Sequence, residues 1–579
     1  MLLFQAMQNA DIGRLLDEVA DLLEISAANP FRVRAYRNAA RTVRDQPDPL
    51  DELVRGGEFD LTDLPGIGSG IAAEITALVT TGKLPQRQEL AAKIPAGLLD
   101  LLRMPGLGPK RVKLLHDTLK VNTVADLGRA LKAGKVAKLP GFGPKLLEKI
   151  HAGVQGGAEA PSRMRLHEAE QYARALVEYL KAGGGIEAIE VAGSFRRRRE
   201  TVADLDIVVS CANPAAVITR FAKFDDVTHV AAQGDTRSTV RLSGGLQVDL
   251  RVIEPDAYGA ALQYFTGSQA HNIELRKIAQ AQKLKLNEYG VFRGTQRIAG
   301  RTEPDVYAAL GMDWIPPELR EGRDEIALAR AHALPALVTL EQIRGDLQMH
   351  SDASDGKVSI AAMVESAQAL GYAYIAITDH SKRLSMSGLD PEELRAQWKE
   401  VDRLNARLRG FRVLKSFEMD ILESGRLDLP DDVLAEADYV VATIHYGLKQ
   451  KERQITDRLL GAIAHPLVDA IGHPTGRIVN TRPSYALDFD TVAKAAAASG
   501  TLLEINGSER LDLPDTLAAA AKAHGVRFVL STDAHDQREL GNMRFAVSVA
   551  RRAGLEAADV ANTRLLPEFL KSLKRSRHH

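Results

Sequence analysis

The sequence of 579 residues contains a single cysteine, Cys211, and only 5% aromatic residues. One cysteine excludes an internal disulfide and is typical of a reducing compartment, so we expect a cytoplasmic protein with Cys211 as a small core residue. No apolar run approaches the length of a membrane-spanning helix, and no basic segment followed by a long apolar stretch is found near the N-terminus. The formal net charge of -1 favours no class of partner, because only the distribution of charge can do so.

The length exceeds what one hydrophobic core usually supports, so several domains are expected. Residues 1–155 have helical periodicity that is broken repeatedly at Pro-Gly, and from 165 to about 315 helical and strand patterns are mixed. A charged, alanine-rich stretch at 316–345 is typical of a connector. After residue 345, apolar strand-like runs alternate with long helical stretches. The order predicts an all-α region, an α+β region and a parallel α/β arrangement or barrel.

Three of the Pro-Gly breaks form an internal repeat: LPGIGSGIAAEI at 64–75, MPGLGPKRVKLL at 104–115 and LPGFGPKLLEKI at 139–150. Backbone N–H groups at the start of the following helix can receive a phosphate oxygen, whereas a single copy could equally be a turn without a ligand. The repeats resemble helix-hairpin-helix motifs, which implies sequence-independent binding to the DNA backbone. Basic stretches such as 32–44 support this, although they could also be solvated faces. The glycines concerned are Gly66, Gly68, Gly106, Gly108, Gly141 and Gly143.

Two aspartates alternate with apolar residues in AGSFRRRRETVADLDIVV at 192–209. In a strand, Asp204 and Asp206 point to one side, and Asp249 in LQVDLRVIE could bring a third carboxylate to the same place. Three oxygen ligands suit Mg²⁺ or Mn²⁺ held together with substrate phosphates. Gly193 and Ser194 offer donors for phosphate, and the arginines can neutralise phosphoryl charge. The alternative is an exposed loop whose aspartates pair with those arginines.

The segments GSFRRRRETVADLDIVV, VDLRVI and YFTGSQAHNIELR at 264–276 resemble, in order and spacing, the family X DNA polymerases of the polymerase beta type. The resemblance covers roughly residues 1–320. It implies that Asp204 and Asp206 bind two divalent ions, and that Asp249 holds the catalytic ion and helps to deprotonate the primer 3′-hydroxyl.

The same resemblance implies contacts with the nucleotide and with DNA. The implied contacts to the incoming dNTP are Arg163, Gly193, Ser194, Arg197, Tyr264, Phe265, Gly267 and Asn272, and the implied DNA contacts besides the hairpin glycines are Arg32, Tyr36 and Arg276. Tyr264, Phe265 and Gly267 would reject a ribose 2′-hydroxyl. Within the arginine run only Arg197 matches a triphosphate contact, so we expect Arg196, Arg198 and Arg199 to be partly solvated.

Three positions depart from polymerase beta. Glu74 stands where that enzyme has the lysine that forms a Schiff base with 5′-deoxyribose phosphate, and Gly70 stands where it has a lysine that binds the 5′-phosphate. A carboxylate cannot act as the amine nucleophile, so no lyase of that type is expected in residues 1–90. Gln269 replaces an aspartate that contacts the nucleotide.

After residue 345, apolar runs end in possible metal ligands, where parallel barrels place active sites. The candidates are His350, Asp355, His380, Glu418, His445, His473, Asp533 and His535. A lone histidine is more often packed or exposed, as His465 and His524 could be, but the repeated pattern favours metal. Mixed imidazole and carboxylate ligands suit Zn²⁺, Mn²⁺ or Fe.

The C-terminal set resembles the PHP (polymerase and histidinol phosphatase) domain, a distorted seven-stranded (βα) barrel with up to three metals for phosphoester hydrolysis. The usual opening His-x-His is here Gln348-Met349-His350, and an amide is a weaker ligand, so one metal would bind loosely. A PHP domain behind a family X polymerase is the bacterial polymerase X arrangement, which implies Mn²⁺-dependent 3′–5′ exonuclease activity.

The whole pattern therefore predicts a bacterial gap-filling DNA repair polymerase, a monomer that binds gapped or primed double-stranded DNA and dNTPs. Alternatives are a polymerase with a mainly structural PHP domain, a nucleotidyltransferase acting on RNA or a small molecule, and a DNA-binding scaffold. The expected domains are a helical DNA-binding domain at 1–90, a fingers-like domain at 91–160, a nucleotidyltransferase palm at 161–260, a thumb-like domain at 261–320, a linker at 321–340 and the PHP domain at 341–575.

Overall fold

A computed structural model describes most of the chain. The described residues are 9–26, 28–44, 50–56, 59–64, 66–91, 94–95, 97–102, 104, 107–143, 146–147, 150, 163–383 and 387–577. The chain divides into two compact units. The first comprises Met1–Met164, Glu168–Ile189 and Val202–Val252, and the second comprises Arg165–His167, Glu190–Thr201 and Ile253–His579.

The N-terminal part of the first unit is helical, as the sequence predicts. Its helices are α1 (Asn9–Ile25), α2 (Pro30–Arg44), α3 (Leu50–Gly56), α4 (Ser69–Thr81), α5 (Pro85–Ala91), α6 (Gly97–Leu102), α7 (Pro109–Leu119) and α8 (Val124–Lys132). One hydrophobic cluster gathers side chains between Ile12 and Leu90, and a second gathers side chains between Leu98 and Ile150 together with Ile25 of α1. The helices thus pack around two hydrophobic clusters, and the domain limits expected at 1–90 and 91–160 stay predictions.

The middle of the chain is α+β, again as predicted. It contains β1 (Met164–Arg165), α9 (Leu166–Lys181), β2 (Ile186–Val191), α10 (Gly193–Arg196), β3 (Thr201–Val202), β4 (Asp204–Cys211), α11 (Pro214–Ala222), β5 (Val227–Gln233), β6 (Arg237–Leu242) and β7 (Gln247–Val252). In the five-stranded sheet, of order β2-β4-β7-β6-β5, β4 runs parallel to β7 and the β7–β6 and β6–β5 pairs are antiparallel. Cys211 ends β4 and is buried, as expected of a core residue.

The following segment has its own small core. Its elements are α12 (Tyr258–Thr266), α13 (Gln269–Ala281), β8 (Lys285–Asn287), β9 (Gly290–Arg293), β10 (Gln296–Ala299), α14 (Glu303–Ala309) and α15 (Glu325–Arg330). The core includes Leu275, Val306 and Ala329, so it reaches into the stretch 321–340 that the sequence favours as a linker. That stretch is folded, because the Glu325 carboxylate accepts the N–H of Gly322 at 2.9 Å and α15 packs into this core.

The C-terminal region is α/β with parallel strands. Its strands are β11 (Gly345–Asp346), β12 (Tyr374–Ile377), β13 (Arg412–Lys415), β14 (Glu418–Asp420), β15 (Val441–Thr443), β16 (Ala470–Ile471), β17 (Leu502–Asn506) and β18 (Phe528–Ser531), and its helices are α16 (Ile360–Ala369), α17 (Pro391–Arg407), α18 (Asp431–Glu436), α19 (Glu452–Ala464), α20 (Phe489–Ser499), α21 (Asp515–Ala523), α22 (Met543–Arg552) and α23 (Leu566–Ser572).

The strands form two sheets in sequence order, β11-β12-β13 and β14-β15-β16-β17-β18, with parallel pairing throughout. Isolated parallel bridges join Met349 to Ala534 and His380 to Glu418. The predicted parallel α/β class is confirmed, and closure into a seven-stranded barrel stays a prediction. Among the helices in the described ranges, none is long and apolar enough to cross a membrane.

Candidate active sites

The three predicted aspartates lie on one face of adjacent parallel strands. Asp206 on β4 stands opposite Asp249 on β7, and Asp204 stands opposite Gln247. Along both strands the aspartates are half-buried while the alternating neighbours are fully buried, which is the two-residue period that the sequence predicts. The arrangement therefore gathers carboxylates on the polar face of the sheet.

Neighbouring groups orient Asp249 and perturb Asp204. The Thr239 hydroxyl donates to Oδ1 of Asp249 at 2.5 Å, and the Gln247 amide donates to Oδ2 at 2.9 Å. Burial raises the pKa of Asp204, the charge of Asp249 raises it further, and Arg163 acts in the opposite direction. Because burial and a neighbouring carboxylate oppose ionisation of Asp204, its ionised form would gain from a bound cation.

The arginine run lies on and just after α10, within the second unit, and its members have partners in that same unit. Arg196 forms two hydrogen bonds with Glu303, both at 2.8 Å, and its side chain is only 17% exposed. Arg198 donates to the Ser548 hydroxyl at 2.9 Å. The expectation of partly solvated charges is thus wrong for Arg196, because a buried carboxylate distant in sequence neutralises it. The side chain of Arg199 is 44% exposed, as expected.

Glu303 is the centre of a buried ion-pair group, since Arg320 also contacts it at 2.6 Å. Burial raises the pKa of Glu303, but the two arginines outweigh burial and lower the pKa to about 2 from the ordinary 4.5. The ionised form is therefore favoured by folding. This contribution is complete above pH 4.5 and is lost as the pH falls towards 2.

The first prediction concerns this group. Acidification from pH 5 to pH 2 should remove about 3 kcal/mol of the free energy of unfolding through Glu303. Glu303→Gln should cost a similar amount at pH 7, because it leaves Arg196 and Arg320 buried without their counter-charge, and it should flatten the acid dependence. Urea unfolding at several pH values measures both effects. Glu274→Gln breaks an exposed pair with Lys277 and serves as the control, and an equal loss in both variants would contradict the prediction.

The predicted nucleotide contacts of the second unit converge on the end of α12. The rings of Tyr264 and Phe265 are 5.1 Å apart in an edge-to-face arrangement, and the Asn272 amide donates to the Tyr264 carbonyl at 2.7 Å. The guanidinium carbon of Arg276 is 5.9 Å from the Tyr264 ring. Gly267 has a φ of +69°, a backbone conformation that favours glycine, and a Cβ at this position would also lie 3.2 Å from Arg197 Nη1.

Two of the three glycine repeats show the predicted geometry. Gly68 and Gly108 are the N-cap residues of α4 and α7, and no side chain of the described residues caps either helix, so backbone N–H groups in the first turn of each helix can receive a ligand. A Cβ on Gly68, Gly108, Gly141 or Gly143 would meet no heavy atom of the described residues within 4 Å, so packing against those residues does not demand glycine. Open space beside these turns is what close approach of a nucleic-acid backbone requires. Gly106 lies outside the described residues.

Near these turns, Arg32 donates to the side chain of Gln86, while Tyr36 is buried. Burial raises the pKa of Tyr36, and the charge of Glu74 raises it further. Glu74 accepts the N–H of Gln86 at 3.1 Å. The carboxylate at this position thus caps the start of α5 instead of offering an amine.

The histidines and carboxylates of the C-terminal region form a compact centre. Among the described residues, three groups could each hold a metal ion, and within each group the ligand atoms lie within 4.8 Å of one another. The groups are His350/Asp355/His380/His535, His380/Glu418/His445 and His350/Glu418/Asp533. His350, His380 and Glu418 each belong to two groups. The sharing of ligands between adjacent groups is suited to a cluster of divalent ions, as predicted.

Individual distances show how the centre is linked. His380 Nε2 lies 3.3 Å from Asp355, and its Nδ1 lies 3.4 Å from Glu418. His473 also reaches this centre, because its Nε2 lies 2.8 Å from Glu418. Every predicted ligand except Gln348 thus contacts another member. Gln348 is buried, and its Nε2 has no hydrogen-bond partner within the described part of the chain.

The charges of the centre are mutually dependent. Burial lowers the pKa of His380, but Glu418 and Asp355 outweigh it and raise the pKa to about 9. Asp355 likewise raises the pKa of His535 to about 10, against the effect of burial. Burial also opposes ionisation of Glu418, but His445 and His380 lower its pKa below the ordinary range. The carboxylates thus favour protonated, positively charged imidazoles. Bound divalent ions would displace the protons from the imidazole nitrogens.

Sequence reasoning missed three polar residues beside this centre. The Asp420 carboxylate accepts the N–H of His445 at 3.0 Å, Asn506 donates to Asp533 at 3.1 Å, and Arg510 Nε lies 3.3 Å from Asp533. Asp420 and Asn506 end strands that each carry an acidic residue two positions earlier, Glu418 and Glu504. That alternation was the available signal, because both side chains then face the same side of the sheet.

Together, the fold and the sites define two classes of protein in one chain: a nucleotidyltransferase with strand-borne aspartates and helix-hairpin-helix turns, and a metal-binding α/β domain with a phosphoesterase-type ligand set. Family profiles agree with both. A helix-hairpin-helix domain matches residues 7–84, a SAM-like helix-hairpin-helix tandem 98–155, a DNA polymerase beta thumb 261–321 and a PHP domain 346–508.

Curated relatives extend the comparison to the whole chain. The DNA polymerase/3′-5′ exonuclease PolX of Bacillus subtilis (strain 168) is 38% identical over 576 residues, which is 98% of this chain and 100% of the relative. A probable phosphatase of Thermoanaerobacter sp. (strain X514) is 32% identical over 30% of this chain and 73% of its own length. Another, from Acetivibrio thermocellus, is 29% identical over 40% of this chain and 95% of its own length. The chain belongs to the bacterial family X DNA polymerases with a C-terminal PHP domain.

Proposed function

We propose that this protein is a DNA-directed DNA polymerase that fills short gaps during DNA repair of the base excision type, and that its PHP domain is a 3′–5′ exonuclease that processes 3′ ends. The observation that carries the polymerase half is the parallel register that places Asp206 beside Asp249. The exonuclease half is supported by the ligand groups that share His350, His380 and Glu418.

The donor sets fit divalent metal ions. Asp204, Asp206 and Asp249 offer oxygen only, which suits Mg²⁺ or Mn²⁺ in the polymerase site. The PHP centre mixes imidazole and carboxylate, which suits Mn²⁺, Zn²⁺ or Fe, with up to three ions held by the seven residues of the ligand groups and by His473, which contacts Glu418. When bound, such ions neutralise phosphate charge and lower the pKa of a hydroxyl group or water molecule.

The residues of this chain supply positioning. Arg197, with Ser194 and Arg163, would contact the nucleotide triphosphate, and Tyr264 with Phe265 would form the wall against a ribose 2′-hydroxyl. Asn272 is held by two amide hydrogen bonds, to Gln263 and to the Tyr264 carbonyl, so its side chain is fixed before a nascent base pair arrives. Such fixed geometry reduces the entropy cost of the reaction.

DNA would be held through its backbone by the glycine turns at 64–75, 104–115 and 139–150. Contacts of this kind carry no base information, so binding would be independent of sequence and would weaken with salt.

The substrates would be dNTPs, and the protein would act as a monomer in the bacterial cytoplasm. The test is extension of a primer across a short gap and degradation of its 3′ end, each with Mg²⁺ and with Mn²⁺. Failure of purified protein to extend any primer would refute the polymerase half.

The second prediction is the absence of a Schiff-base lyase in residues 1–90. Glu74 has no amine and caps α5 through Gln86, so borohydride should trap no covalent adduct with 5′-deoxyribose phosphate DNA. Without a lysine at Gly70, a 5′-phosphate on the gap should improve extension only slightly. A trapped adduct that maps to residues 1–90 would contradict this prediction.

A further inference from the structure

An arginine of the C-terminal region contacts the turn that carries the predicted triphosphate contact. Arg552 ends α22, and its side chain is 3% exposed. Its Nη1 donates to the carbonyl oxygen of Arg197 at 2.7 Å and to Oε1 of Glu321 at 2.9 Å, while its Nη2 donates to Asp515 at 2.9 Å. One backbone carbonyl and two carboxylates therefore fix this guanidinium.

Glu321 extends the contact to the side chain of Arg197. The same Oε1 that accepts from Arg552 lies 3.1 Å from Arg197 Nε, and Oε2 lies 3.4 Å from Arg199 Nη1. Burial raises the pKa of Glu321, but Arg552 and Arg197 outweigh burial and lower it. The carboxylate is thus ionised and shared by three arginines, and both the backbone and the side chain of Arg197 depend on contacts to Arg552.

This sharing matters when a triphosphate arrives. The phosphate oxygens would compete with Glu321 for Arg197, and Arg552 would remain as a counter-charge for the carboxylate. Without Arg552, Glu321 would depend mainly on Arg197 and Arg199, and separating it from Arg197 would leave a largely buried charge poorly compensated. Binding of a nucleotide would then have to supply that free energy as well as the cost of ordering the turn.

We propose that Arg552 is a positioning residue for nucleotide binding, so that the PHP domain, besides its hydrolytic centre, tunes the affinity of the polymerase for the incoming nucleotide triphosphate through Arg197. This inference rests on the proposed polymerase function. It assigns to the PHP domain a role in synthesis that is independent of metal ligands, since Arg552 contacts none of them among the described residues.

Single-nucleotide insertion on gapped DNA tests the inference with the full-length protein. Arg552→Met should raise KM for the dNTP about tenfold or more, with a smaller change in kcat, because a buried charge-assisted contact is lost. Arg552→Lys, which keeps the charge, should recover part of the loss. Arg551→Met is the matched control: it lies on the same helix but pairs with Glu318, and its KM should equal that of the wild type.

A double variant separates positioning from general structure. In an Arg197→Ala background, Arg552→Met should add little to KM, because its effect passes through Arg197. Exonuclease activity should be the same in all variants, which reports on folding of the PHP domain. If Arg552→Met does not fold, Arg552→Lys carries the same comparisons.

Two results would overturn the inference: an unchanged KM in Arg552→Met, or full additivity with Arg197→Ala. If instead the wild-type protein inserts no nucleotide at all, the proposed polymerase function itself fails. The two failures are therefore distinguishable.

Discussion

Asp249→Ala is expected to reduce nucleotide insertion on gapped DNA by roughly a thousandfold or more, because it removes a carboxylate that would hold the catalytic ion and help to deprotonate the primer 3′-hydroxyl. Asp249 stands opposite Asp206 in the sheet, and Thr239 and Gln247 hold both of its oxygens. No other acidic side chain on β7 could replace it, since Asp249 is the single acidic residue of that strand. Primer extension under single-turnover conditions measures the effect.

Asp225→Ala is the matched control, because Asp225 is an exposed aspartate of the same unit. Its extension rate should match that of the wild type. Asp249→Ala should keep its 3′–5′ exonuclease activity, since the PHP centre shares no residue with β7. Normal extension by Asp249→Ala would remove the polymerase assignment, and loss of both activities would point to a folding defect instead.

His380→Ala is expected to lower 3′-end degradation by a similar factor, roughly a thousandfold, while leaving primer extension intact. His380 belongs to two ligand groups and contacts Asp355 through one ring nitrogen and Glu418 through the other. Loss of the His380 imidazole should therefore weaken the binding of more than one metal ion. Metal content of the purified protein, measured by atomic emission, should fall together with the exonuclease rate.

His524→Ala provides the comparison for this substitution. His524 lies near the surface and pairs with Asp490 at 2.7 Å, outside the ligand groups. The metal content and the exonuclease rate of the His524→Ala protein should match those of the wild type. Full exonuclease activity in His380→Ala, with reduced metal content, would mean that hydrolysis occurs elsewhere and that the PHP domain is mainly structural.

The arginine run illustrates how one short segment serves two functions. Arg196 pairs with Glu303 and stabilises the fold, while Arg197 has contacts that a triphosphate could exchange for its own oxygens. Arg198 and Arg199 contact Ser548 and Glu321. The four residues are therefore not interchangeable, although nothing in their chemical identity distinguishes one from another.

Much of the candidate sites could be predicted because their chemistry follows local periodicity. Asp204 and Asp206 lie two residues apart in a strand and therefore share a face wherever that strand is placed. His350, His380 and His445 each follow a buried strand, and parallel strands bring their carboxyl ends to one edge. Arg510 and Arg552 follow neither of these two patterns, so the sequence could not identify them in this way.

By itself, the sequence determined the class of each region and the face of the sheet that carries the aspartates, because these depend on spacing within one element, and it predicted a set of metal ligands from the repeated pattern of a strand followed by a ligand. Only the tertiary structure decided the partners of the buried charges. Arg196 meets Glu303 across 107 positions, and Arg552 meets the Arg197 carbonyl across 355. Pairs so far apart leave no periodic signal, because burial and charge compensation act on distance in space and not on distance along the chain.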